Sequence, residues 1–163
     1  MTPTIVDASL AIWDFLKTDD LATALRAMVV DGASNILESG DVTESVLSSA
    51  VSTRRASGNG EVLVVSVQDA GERPDTRYPG HFLQFVVIRV YDRSKGYRYI
   101  RTARVELMEL LGPANFKKNL ASGLGRGVLS NAYNDRTGHR WDPVSAVEYE
   151  AISYAFRIVK QEG

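Results

Sequence analysis

The stretch His81–Leu111, HFLQFVVIRVYDRSKGYRYIRTARVELMELL, decides the fold. It opens on an apolar run from Phe82 to Tyr91, rich in Val, Ile, Phe and Tyr, residues that suit a pleated, packed surface. Asp92–Gly96 (DRSKG) punctuates it. Beyond that turn the apolar period changes from 2 to 3.6, with Ile100, Ala103, Leu107 and the pair Leu110/Leu111 recurring on one face. The reading is a strand, a short turn and an amphipathic helix lying back on the sheet. Alternation places Leu83, Phe85, Val87 and Tyr91 on one side of the strand, and Phe82, Val86, Ile88 and Val90 on the other. Only Gln84 and Arg89 interrupt. A strand apolar on both sides lies mid-sheet, or its second face meets another subunit.

Working outward, Glu61–Gln68 (EVLVVSVQ) reads as a second strand that pairs with 82–91 as an antiparallel hairpin. The connection 69–80, DAGERPDTRYPG, is long for a hairpin, and long loops are often functional. Upstream, residues 7–17 read as a helix with Asp7 or Ser9 as cap and Leu10, Trp13 and Leu16, with Ile12 adjacent, as its stripe. Thr18-Asp19-Asp20 restarts the pattern with Leu21, Leu25 and Met28, and Asp31-Gly32 stops it. Residues 33–42 read as loop, 42–52 as a short helix capped by Thr43, and 54–60 as a polar turn. Downstream, Gly112-Pro113 ends the helix and 114–127 is polar and Gly-rich. Residues 128–135 read as a third strand, 136–143 as a turn and 147–159 as a long fourth strand. In that last strand Ile152, Tyr154, Phe156 and Ile158 share one face, and Tyr149, Ala151, Ser153, Ala155 and Arg157 the other. The expectation is a single α+β domain over 1–163, with N-terminal helices (7–50) and then a sheet with an inserted helix (61–159). The sheet is four-stranded and mostly antiparallel, with helices packed on one face.

Composition narrows the function. The chain has 163 residues, 44% apolar and 24% charged, as in ordinary globular domains. A net charge of −1 gives no general basic field for nucleic acid. There is no cysteine, so disulfides and thiolate metal sites are excluded. MTPTIVDASL lacks the pattern of a secretory signal, and no apolar run reaches the roughly 18–20 residues of a membrane span. His81 and His139 have no metal-ligand spacing, and ordinary surface histidine is the better reading. Gly123-x-Gly125-x-Gly127 follows a helix and precedes a strand, the reverse of the order in a dinucleotide turn. Glu106 and Glu109 read as solvated surface, and Arg98, Arg101 and Arg104 spiral around the polar side of the same helix. No convergent catalytic set emerges, and the expectation is a protein that is not an enzyme and uses no metal or cofactor.

The N-terminal helices, the hairpin 61–91, the strand–turn–helix 81–111 and the late strand DP…VEYEAISYAFRI together resemble the tail-terminator, or tail-completion, proteins of long-tailed bacteriophages. The resemblance covers most of residues 1–160 and lies in element order and pattern. It implies a homo-oligomeric ring, usually a hexamer, that caps the tail tube, stops its polymerisation and joins tail to head. The implied partners are the tail tube protein and a head–tail connector protein. DNA passes through the lumen without sequence-specific binding, and no membrane is involved. The implied place is the head-proximal end of the virion tail, reached by assembly in the host cytoplasm. Candidate interface residues are Arg73, Asp75, Arg77 and Tyr78 in the long connection, Arg98 and Arg101 on the helix, and Tyr149 and Arg157 on the last strand. Two other classes compete: a head-side adaptor or stopper, and a small ligand-binding or enzymatic α+β domain.

Overall fold

The computed structural model describes residues 8–57, 61–93, 98–112, 128–143 and 146–159. The chain runs α1 (Ala8–Thr18), α2 (Thr23–Ala27), β1 (Ile36–Glu38), α3 (Glu44–Ser57), β2 (Val64–Pro74), β3 (His81–Asp92), α4 (Arg98–Leu111), β4 (Val128–Asp142) and β5 (Val147–Val159), with three short 3-10 turns before α3. The fold is α+β. One sheet of five strands, ordered β1-β2-β3-β5-β4, is antiparallel except where β1 runs parallel to β2. The expected sheet lacked β1. That strand is only three residues long, too short for alternation to show, and it sits in a segment read as loop.

β3 is the central strand. Val86, Ile88 and Val90 lie fully buried in the larger core, with Val65 and Val67 of β2 and Ile152, Tyr154 and Phe156 of β5. α1 contributes Ala8, Ile12, Phe15 and Leu16 to this core, and α4 contributes Ile100, Ala103, Leu107, Leu110 and Leu111. The stripe of α1 is thus rotated from the expected one: Leu10 is half exposed and Phe15 is inside. Gln84, one of the two polar interruptions in β3, explains the placement of α1. Its side-chain oxygen, itself buried, accepts the Ala8 backbone N–H at 2.9 Å, satisfying a donor that the first helical turn leaves open.

The helices are not confined to one face. Leu47 and Ala50 of α3 form a second core with Val64, Val147 and, at its margin, Tyr91. Val64 and Val65 are neighbours on one strand, so the two cores lie on opposite sides of the sheet. α3 is also tied by charge. Arg54 pairs with the buried Asp92, and Arg93 reaches Glu44 at 2.5 Å. Thr43 caps the helix, its hydroxyl accepting the Val46 N–H at 3.3 Å. α3 covers only the end of this face where β3 finishes. Farther along, Phe85 and Val87 remain part-exposed.

Three further expectations change. α3 runs on to Ser57, into the segment 54–60 read as a polar turn. Residues 69–74 belong to β2, which continues past a bulge between Asp69 and Glu72; Gly71 supplies the positive φ of 107°. Residues 136–142 are strand, because β4 runs unbroken to Asp142 with three register shifts. The glycines at 123, 125 and 127 lie outside the described residues.

Arg104 corrects the reading of α4. It stands four residues after Ile100 and three before Leu107, so helical spacing places it on the buried stripe. It is 8% exposed and reaches the fully buried Glu150 of β5 at 3.3 Å. Removing one member of a buried ion pair leaves the other charge stranded. Arg104→Met is therefore expected to lower stability in urea unfolding by about 3 kcal/mol. Arg101→Met, on the exposed side, should stay within about 0.5 kcal/mol of wild type.

Candidate interface surface

The connection between β2 and β3 shortens to residues 75–80, and this loop is built around one carboxylate. Asp75 is 6% exposed. Its Oδ2 takes a hydrogen bond from Arg157 Nε at 3.0 Å, and its Oδ1 accepts the Arg77 backbone N–H at 3.1 Å. The Asp75 N–H donates to the His81 carbonyl at 2.9 Å, and the His81 N–H to the Tyr78 carbonyl at 3.1 Å. The Tyr78 ring stacks on His81, with centroids 5.4 Å apart, while the Arg157 guanidinium lies 4.7 Å from the centroid of the Tyr78 ring. Such contacts fix an aromatic side chain that is still 47% exposed.

Arg73, Asp75, Arg77, Tyr78 and Arg157 therefore meet at one tip of the sheet. Below the tip, on the face that α3 leaves open, Arg73 lies 5.2 Å from the Phe85 ring, and Val87 follows along β3. Arg89, the second polar interruption of β3, donates to the Gln68 side chain on this face. The other three candidates lie elsewhere. Tyr149 packs on Tyr91, centroids 5.8 Å apart, beside α3. It is eight residues from Arg157 along β5, roughly 26 Å in an extended strand. Arg98 and Arg101 are exposed on α4, across the sheet from the open face.

Sequence reading missed Trp141, 56% exposed, because its segment looked like a turn. It also missed a groove of about 360 Å³ lined by Leu10, Glu38, Gly40, Val67, Gln68 and Asp69, among others. β1 forms part of that wall, and β1 was not anticipated.

The sequence matches no known family model and no curated protein. Among the described residues no group of three or more His, Cys, Asp or Glu side chains could hold a metal ion. Among them, too, no helix is long and apolar enough to cross a membrane. The surface with the most built detail is the tip, together with the open face beneath it.

The Arg157 guanidinium, and after it the Arg77 backbone N–H, hold the Asp75 carboxyl below its ordinary value of 3.8. A depressed carboxylate stabilises the fold above its unfolded value and loses that contribution as pH falls through the folded one. The tip should therefore hold from neutral pH down to about 4 and loosen below that. The Arg157 Nε–H resonance in NMR spectra is expected to move toward its free position in that acid range. In Asp75→Asn it should sit near that position already at neutral pH. A wild-type resonance that stays fixed until global unfolding would contradict the account.

Proposed function

We propose that this protein is a virion structural component of a long-tailed bacteriophage. In this reading it forms an oligomeric ring that caps the tail tube, ends its polymerisation and joins the tail to the head. One observation carries the proposal: a sheet face that, among the described helices, α3 covers at one end, with Phe85 and Val87 part-exposed farther along, leading to a pre-formed tip of aromatic and arginine side chains. Part-exposed Phe85 and Val87 provide apolar area, while Tyr78, Arg77 and Arg73 have the character of interface anchors. Asp75 and Arg157 fix the tip before any contact is made, which lowers the entropic cost of binding. The element order described at the outset supports the same reading.

The tip and open face would meet the end of the tail tube, and the sheet's edges would meet neighbouring copies. The near-neutral chain suits a ring through which DNA slides rather than binds. No catalytic role is assigned to any residue.

The test is to add purified protein to uncapped tail tubes and measure tube ends and lengths by negative-stain electron microscopy. Wild-type protein should cap ends and stop growth. Arg77→Asp/Tyr78→Ala, checked as folded by circular dichroism, should cap roughly tenfold fewer ends at equal concentration. Wild-type protein that ignores tube ends and binds head-side connectors instead would replace capping with an adaptor or stopper role.

A further inference from the structure

The arginines of the tip exceed the carboxylates available to them. Arg73 of β2, Leu83 of β3 and Arg157 of β5 stand opposite one another in register, so their side chains form one row across the same face of the sheet. Arg73 and Leu83, with Pro74, Asp75 and Arg77, line a pocket of about 190 Å³ at the end of that row. The carboxylate in its wall is already engaged: Asp75 takes the Arg157 Nε–H on Oδ2 and the Arg77 backbone N–H on Oδ1. Arg157 thereby neutralises Asp75. The Arg77 Nε stands 4.0 Å from the same carboxylate, and its side chain is 74% exposed. Arg73 is exposed, lies against the Phe85 ring and makes no ion pair among the described residues.

The neighbouring acids of β2 do not reach this pocket. Asp69 and Glu72 pair in register with Val86 and Gln84. Val86 lies in the larger core and Gln84 holds the start of α1, so both point to the α1 side of the sheet. Directly opposed residues share a face, and the two acids therefore stand on that side as well. The Asp69 carboxylate is further occupied by the Gly71 N–H at 3.0 Å. What remains is a small pocket with two arginines in excess, an apolar wall of Pro74 and Leu83, and the Phe85 ring beside Arg73.

We infer that this pocket receives carboxylate side chains of a partner protein: the surface that docks on the tip is acidic, with apolar residues beside its acids. Planar guanidinium forks bind carboxylates through two parallel hydrogen bonds, and both cations here are arginines. Each is held in advance, Arg73 by the Phe85 ring and the Arg77 backbone by Asp75, so less freedom is lost on docking. Complementary charge also sets which partner is accepted and in what register. A nucleic-acid backbone offers negative charge as a long track, and its affinity grows with the number of phosphates neutralised. The face does not continue as a cationic track: from Arg73 it passes to Phe85 and Val87, and the next arginine, Arg89, is engaged by Gln68. Two cations beside apolar side chains suit a protein surface instead. The inference rests on the capping reading for the partner's identity, the end of the tail tube, whose surface would then be acidic.

The test titrates the full chain, isotope-labelled, and follows its arginine Nε–H resonances by NMR. The probes are synthetic peptides of one length in which leucine alternates with glutamate, glutamine or lysine, and an oligothymidine of equal charge to the glutamate peptide. The glutamate peptide should move the Arg73 and Arg77 signals and bind roughly tenfold tighter than the glutamine peptide at low salt. That difference should collapse at about 1 M salt, where the Debye length is about 3 Å. The oligothymidine should bind more weakly than the glutamate peptide. Arg73→Glu/Arg77→Glu changes two exposed positions, and circular dichroism checks that it is folded. It should lose the preference for glutamate and favour the lysine peptide. No binding of the glutamate peptide, equal binding of the glutamate and glutamine peptides, a variant that keeps the wild-type preference, or tighter binding of the oligothymidine would overturn the inference. Wild-type protein that caps tubes without preferring glutamate would leave the capping proposal standing alone. A glutamate preference in a protein that ignores tube ends would sink only the tube as partner.

Discussion

Val86, Ile88 and Val90 of β3 are sealed between the sheet and the helices α1 and α4, while Phe85 and Val87 on the same strand remain part-exposed. That unequal cover is the constraint from which the rest follows. Burial of the first set supplies the hydrophobic drive for folding. The second set lies on the face that α3 covers near Val64, Val147 and Tyr91, through a small core and two arginine–carboxylate pairs. On the remainder of the face Phe85 and Val87 stay part-exposed beside the buried Leu83 and Ala155.

The polar residues within this framework each hold one joint. Gln84 seats the start of α1, Arg89 bridges to β2 through Gln68, and Arg104 with Glu150 fastens α4 to β5. Asp75 organises the tip. These groups are largely buried and paired with residues distant in sequence. Their value is positional: a buried pair adds little net stability but strongly disfavours arrangements that leave one charge alone.

Much of the fold was legible in the sequence, where period and length agreed. The span of β5, the α4 stripe and the antiparallel β2–β3 pairing all follow from alternation or helical spacing. β1 was not legible, since three residues carry no period and its partner residues are 29 positions away. The position of α3 was not legible either, because a single helix does not reveal which side of the sheet it will choose. The end of β4 was hidden by the turn-like composition of RTGHRWDP. Arg104 and Glu150 could have been found, since both fall on the buried parity of their own elements. Of the eight candidate interface residues, the five at the tip come together because β5 ends beside the loop, a fact of register rather than composition.

The central claim is that the open face of the sheet is completed by another protein surface. The chain has no cysteine, so Val87→Cys places a single thiol reporter on that face. Its alkylation rate should be measured in dilute free protein and again after binding to tail tubes. The account predicts ready labelling when free and a slowing of roughly tenfold or more on the tubes, as expected for a desolvated interface core. Equal rates in the two states, with binding confirmed, would contradict it.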